Sequence, residues 1–279
     1  MTAIRSAAMG SHHPLILTGQ LAARGLTLAA LVGGLVLASP AAFADDANPR
    51  KTTWGLGLGV VGNQEPYIDI DRDTTVLPLL HVENRYVRFF ATTLEAKLPG
   101  WQFSETNRID FRLVGRWEGS GYESDDSWAL EGMDERKGGV WAGAKVQWQT
   151  SLANLSADWT HDVSGNSKGQ RFNLGLDRSW RLGERFTLTP RIGAAWHDRK
   201  YVDYYYGVQA HEARAGRPEY RGDSGISTEV GLQGVYRFNK HHSMMFDVRA
   251  RRLSSNAKDS PLVDRSTDNR VFLGYMYHF

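Results

Sequence analysis

The sequence predicts an all-β fold, a transmembrane antiparallel up-and-down β-barrel of about 12 strands, on three observations. From Thr52 onward apolar and polar residues alternate with a period of two, not 3.6. The alternating runs are about 10–13 residues long, whereas strands of soluble sandwiches average nearer 5–6 and a tilted membrane strand takes about 9–11. Aromatic residues gather at the ends of these runs (Trp54, Trp117, Trp148, Trp159, Trp180, Trp196, Tyr236, Phe238), where a membrane barrel places its two interfacial girdles. In that arrangement the apolar face meets lipid and the polar face lines the lumen.

The chain of 279 residues carries a net charge of +2 with its charges scattered, which gives no footprint for nucleic acid. It has no cysteine, so disulfides, a thiol nucleophile and thiolate metal sites are excluded. A mean hydropathy of −0.43 excludes a bundle of spanning helices. At the N-terminus Arg24 precedes the apolar run LTLAALVGGLVLA, and small residues at Ala42 and Ala44 flank Phe43. This pattern predicts a secretory signal peptide over residues 1–44, leaving 45–279 as the mature barrel destined for the cell outer membrane.

Strands are expected near 52–61, 74–82, 85–92, 97–103, 107–117, 139–149, 153–161, 169–180, 185–197, 225–238, 242–254 and 270–279. In the first, Trp54, Leu56, Leu58 and Val60 alternate with glycines; in RIDFRLVGRW, Ile109, Phe111, Leu113 and Trp117 oppose Arg108, Asp110, Arg112 and Arg116. GISTEVGLQGVYRF sets Ile226, Val230, Leu232 and Tyr236 against Glu229, Gln233 and Arg237, and MMFDVRAR sets Met244, Phe246 and Val248 against Asp247, Arg249 and Arg251. The segment 97–103 is the poorest strand, because Pro99 cannot donate to a ladder, but an even count requires it. With the C-terminus in the periplasm, the short links fall on that side and the long ones (62–73, 118–138, 198–224, 255–269) fall outside. The longest loop carries KYVDYYYGV, whose tyrosines are expected to start as girdle and continue as a lid packed on the rim.

Candidate chemistry is sparse. Ser and His coexist in HDVSGNS and KHHSMM, yet neither stretch sets acid, base and nucleophile on one strand face, so no catalytic residue is expected. Asp69, Asp71 and Asp73 begin like a calcium loop, but Thr74 and Leu80 stand where that loop needs glycine and glutamate, and no metal or other cofactor is expected. Carboxylates there and in ESDDSWALEGMDER (123–136) suit divalent ions that bridge lipopolysaccharide. Lumen positions include Arg108, Arg112, Arg191, Arg237 and Arg249, facing Asp110, Glu229 and Asp247. Cations outnumber anions, so an open lumen would favour anions, while paired charges would stiffen a closed one and leave little or no conductance.

The closing strand RVFLGYMYHF sets Tyr275, Tyr277 and Phe279 on one face, similar to the C-terminal sorting signal of bacterial outer-membrane proteins. WGLGLGV at 54–60, TVLPLL at 75–80, RFF at 88–90 and SPLV at 260–263 resemble the MltA-interacting protein family, MipA/OmpV. So does the tyrosine motif of Tyr201, Tyr204, Tyr205, Tyr206 and Gly207, with Arg217–Pro218 and Tyr220 following. The resemblance implies a non-enzymatic outer-membrane scaffold that links a periplasmic lytic murein transglycosylase to a penicillin-binding protein. A gated pore with weak anion preference and a surface adhesin are the alternatives.

Overall fold

Alternation carries through to closure. The computed structural model describes residues 52–70 and 72–279; the expected signal peptide and Asp71 lie outside them. Thirteen strands follow in order: β1 Thr53–Gln64, β2 Asp73–Glu83, β3 Val87–Phe90, β4 Thr93–Gln102, β5 Arg108–Glu118, β6 Gly139–Gln149 and β7 Asn154–Asp162, then β8 Gln170–Asp177, β9 Trp180–Leu182, β10 Phe186–His197, β11 Gly225–Arg237, β12 His242–Arg252 and β13 Thr267–His278. All pairings are antiparallel between neighbours; β13 meets β1, β10 meets β11, and β9 continues β8 past a break at Arg178–Ser179. The result is a closed barrel of twelve staves, with no free edge along most of its wall.

The outward face is apolar as expected: Leu58 is 63% exposed, and each of the eight aromatics assigned to the girdles points out of the barrel. An exposed apolar band of this kind is stable only against lipid.

Two strands differ from expectation. The stretch 85–92 shrinks to the four residues of β3, and 97–103 grows to β4 Thr93–Gln102, so their outer link is Ala91–Thr92. β3 covers only His81–Glu83 of β2 and only Val87–Phe90 opposite Thr93–Ala96 of β4. On the side of β3, the outer half of β2 above Ala91 has no strand beside it, and neither has the periplasmic half of β4 beyond Lys97, among the described residues. Each bare edge carries a proline. The Ala91 amide donates to the Leu80 carbonyl, so by alternation Pro78, two residues on, turns its missing N–H to the same open side. Pro99 sits in the irregularity between Leu98 and Trp101, where β4 slips by one residue against β5. Proline is tolerated at such places because no ladder bond is lost, and it discourages pairing with a foreign strand.

Two helices were not anticipated. α1 spans Arg199–Tyr206 and α2 spans Ser255–Lys258, capped by the side chains of Asp198 and Ser254, which accept from the amides of Tyr201 and Ala257. The tyrosine stretch is therefore a helix of the longest loop, and its tyrosines turn into the fold and do not start as girdle.

Candidate functional site: capped lumen and periplasmic mouth

The lumen is filled in two different ways. On the side of β11–β13 and β1–β3 it holds an apolar plug of Val61, Leu77, Leu79, Phe90, Val235, Met245, Phe272 and Met276, each at most 7% exposed. The expectation that inward residues are polar fails here. Three inward positions of β1, Gly55, Gly57 and Gly59, are glycines, and two of them leave slots for side chains from β13. A Cβ on Gly59 would lie 2.6 Å from Phe272 Cε2, and one on Gly55 2.9 Å from Met276 Sδ. Glycine supplies the space, and Phe272 and Met276 occupy it.

Around the rest of the wall, and toward the outer ends of β11–β13, the lumen is a network of buried ion pairs. Arg112 donates to Glu95 at 2.8 Å, with Arg88 at 3.5 Å and Lys145 at 3.7 Å around the same carboxylate. Glu118 takes two bonds from Arg171, at 2.8 and 2.9 Å, and a third contact from Arg116 at 3.4 Å. Arg191 donates twice to Asp247, Arg249 reaches Asp268 at 3.3 Å, and Arg251 reaches Glu229 at 3.6 Å. Of the residues expected in the lumen, Arg112, Arg191, Glu229, Asp247 and Arg249 join this network. Arg108 and Asp110 pair at 2.6 Å at the periplasmic mouth, where Arg237 also stands. Sequence reasoning missed the acceptors Glu95 and Glu118, which lie at strand positions whose alternation alone could have placed them inward. Buried charges persist only when paired in this way, because desolvation of a lone ion costs several kcal/mol. Between Arg116, Arg171, Arg191 and Arg251 remains a void of about 60 Å³, room for about four or five waters.

The four long loops fold together over the outer mouth. Tyr67 of the first, Tyr122, Leu130 and Met133 of the second, Val208 of the third and Leu262 of the last form one buried cluster. The tyrosines of α1 are spent on this packing. Tyr201 stacks on His197 with ring centroids 4.4 Å apart, and the Tyr204 hydroxyl accepts from the Lys137 amide at 2.8 Å. Tyr205 donates to the Lys137 carbonyl, its own carbonyl accepts from the Tyr67 hydroxyl, and Tyr220 donates to the Asn256 carbonyl. Tyr206 stacks on Tyr67, and Gly207 caps α1. Burial pushes the phenols of Tyr67, Tyr201 and Tyr206 above their ordinary range, so they stay neutral. Burial, reinforced by Asp126, Asp268 and Asp73, raises the Glu65 carboxyl to about 7.

Arg136 pins the second loop to the third through Glu212, at 2.7 and 2.9 Å. Asp134, His211 and Glu212 bring ligand atoms within 4.8 Å of one another, but the Arg136 guanidinium already occupies the Glu212 carboxylate that a metal would need.

At the periplasmic end, Tyr275, Tyr277 and Phe279 face outward, with the last two rings 5.0 Å apart edge to face. β7 stops at Asn154, opposite Asp177, so the chain from Arg178 to Arg185 projects past it.

A family model described as "MltA-interacting protein MipA" matches residues 56–279. The MltA-interacting protein of Escherichia coli (strain K12) is 28% identical over 249 residues, 88% of this chain and 96% of that relative. Outer membrane protein Omp26La of Vibrio anguillarum is 28% identical over 255 residues, 90% and 96% of the two chains. Outer membrane protein OmpV of Vibrio cholerae is 29% identical over 161 residues, 58% and 62%. An outer membrane channel from Pseudomonas putida F1 superposes with a TM-score of 0.44 at 12% identity, over 84% of this chain and 97% of that one. With the barrel closed, its outer face apolar and the family matched over nearly all of the described chain, the protein is an outer-membrane β-barrel that belongs to the MltA-interacting protein MipA family.

Proposed function

We propose that this barrel is a non-enzymatic scaffold that gathers murein-remodelling enzymes beneath the outer membrane. Its partners are a periplasmic lytic murein transglycosylase and, through it, a penicillin-binding protein. The observation that carries the reading is the likeness to a relative named for interaction with MltA, which extends over 96% of that relative's length. The filled lumen favours it over the alternatives: the apolar plug and the four-loop lid leave little for a conducting path, and the tyrosines an adhesin would present are engaged in packing. Cations crowding Glu95 favour a weakly anion-selective pore as the second reading. In this reading Tyr275, Tyr277 and Phe279 serve the assembly machinery as a sorting signal. Lipopolysaccharide surrounds the acidic loop 123–136.

The test is a binding assay with the folded mature protein, immobilised in detergent and offered soluble lytic transglycosylases of the same organism at near-physiological salt. Saturable binding at micromolar concentration or tighter is expected, from an interface of roughly 800 Å² on each partner. A folded barrel that binds none of them refutes the scaffold.

A further inference from the structure

The net charge of +2 conceals a sided distribution. Outside, the loop segment 123–136 carries six carboxylates against one arginine. At the periplasmic rim the balance reverses, and the reversal is concentrated on two adjoining hairpins. The β9–β10 hairpin brings Arg181 and Arg185, and the β11–β12 hairpin brings Arg237 and Lys240. Arg178, whose amide donates to the Pro190 carbonyl, stands two residues before outward-facing Trp180 and lies on the lipid side instead. Glu184 is the one acidic side chain among the described residues 178–185 and 237–242. The hairpins are neighbours, since β10 pairs with β11 and the Arg237 amide donates to the Arg185 carbonyl at 2.8 Å.

The direction of these side chains matters as much as their number. Arg181 is in register with Thr187, and Arg237 with Ser243, both buried on the inner side of the wall. Arg185 lies across from Arg237 and shares that side. The lipid-facing positions of the same hairpins hold Trp180, Leu182 and Tyr236. Lipid headgroups would meet cations on the aromatic side; these cations instead frame the aqueous mouth and project past the end of β7.

We propose that the β9–β10 and β11–β12 hairpins form a basic docking surface for the carboxylates of murein stem peptides, so that the barrel grips the wall as well as the enzymes acting on it. The choice of murein as ligand rests on the scaffold reading above; the charge and its direction do not. Stem peptides present repeated free carboxylates on a polymer, and several weak contacts along one polymer add through effective concentration. Arginine suits the task, because its planar fork matches a carboxylate bidentately.

The experiment is co-sedimentation of the folded, detergent-solubilised mature protein with isolated murein sacculi. The same preparation is offered phosphatidylglycerol vesicles and, separately, the soluble transglycosylase. A combined variant, Arg181→Gln, Arg185→Gln, Arg237→Gln and Lys240→Gln, is compared after its heat-modifiable migration confirms a folded barrel. Sacculus affinity is expected to fall about tenfold or more in the variant, on carboxyl-amidated sacculi, and between about 0.05 and 0.5 M salt as screening shortens. Transglycosylase binding is expected to be unchanged. The proposal is overturned if wild type does not sediment with sacculi, if the variant or amidated sacculi bind undiminished, or if the substitutions weaken only the vesicles. Sacculus binding without transglycosylase binding would remove the scaffold and leave this surface standing; the opposite result would do the reverse.

Discussion

Replacing Gly59 by alanine tests how the lumen is plugged. The added methyl would meet Phe272 Cε2 at 2.6 Å, Phe272 Cζ at 3.1 Å and Leu79 Cδ1 at 3.3 Å. Phe272 is 1% exposed and cannot retreat without moving its neighbours. Overpacking of this kind costs about 1–3 kcal/mol, offset by less than about 1 kcal/mol from the stiffer unfolded chain. Phe272→Ala alone removes a fully buried ring, at a cost of about 3–5 kcal/mol. In the double variant the clashing ring atoms are gone, so the new methyl sits in the space they leave. Gly59→Ala should then add almost nothing, or restore part of the loss. The assay is urea unfolding in lipid vesicles followed by tryptophan fluorescence, with all four members of the cycle. Additivity within about 0.5 kcal/mol would refute the idea that the glycine exists to seat Phe272.

Two further predictions concern the lid. Arg136→Met leaves the fully buried Glu212 carboxylate without its cation, at a cost of roughly 3–5 kcal/mol, so loops 118–138 and 198–224 should become cleavable by protease on intact cells while the barrel stays heat-modifiable; unchanged resistance would contradict the pin. The Glu65 carboxyl sits above its ordinary 4.5, so the stability it lends is complete below about 4.5 and is lost as pH rises through about 7. Backbone exchange in the first loop should accordingly be slower at pH 5 than at pH 8 after correction for intrinsic rates, by an upper bound of roughly 3 kcal/mol, and Glu65→Gln should abolish the difference; a wild type with no such dependence would refute it.

Most of the wall was legible because a strand with one face in lipid cannot hide its period of two. Strands such as β5 and β10 fell within one or two residues of expectation. The plug was not legible from alternation, since Leu77 and Leu79 sit inward beside outward Val76 and Leu80 in TVLPLL, an apolar run with no period. Its complement was visible only in hindsight: β1 offers glycines where lumen side chains belong, so some other strand had to fill the space. α1 was missed because KYVDYYYGV is rich in residues that favour strands. Its helical form is set by the Asp198 cap and by burial of Val202 and Tyr205, three apart on one face. The length of β3 was unreadable, because it follows from how the stagger of a closed barrel is shared among staves and not from local composition.

The brevity of β3 has a consequence for how such a wall comes apart. One expects a barrel to part where its first and last strands meet, since that joint is made last. Here β1 and β13 are matched over ten residues, from Gly55 with His278 to Gln64 with Asn269, whereas β2 and β3 are matched over three. The joint between the chain's two ends is thus among the firm ones, and the line of least resistance runs through the interior of the sequence, on either side of Val87–Phe90. Breathing motions that need the wall to yield will use that line first, and they leave the strand carrying the C-terminal aromatics clasped on both sides.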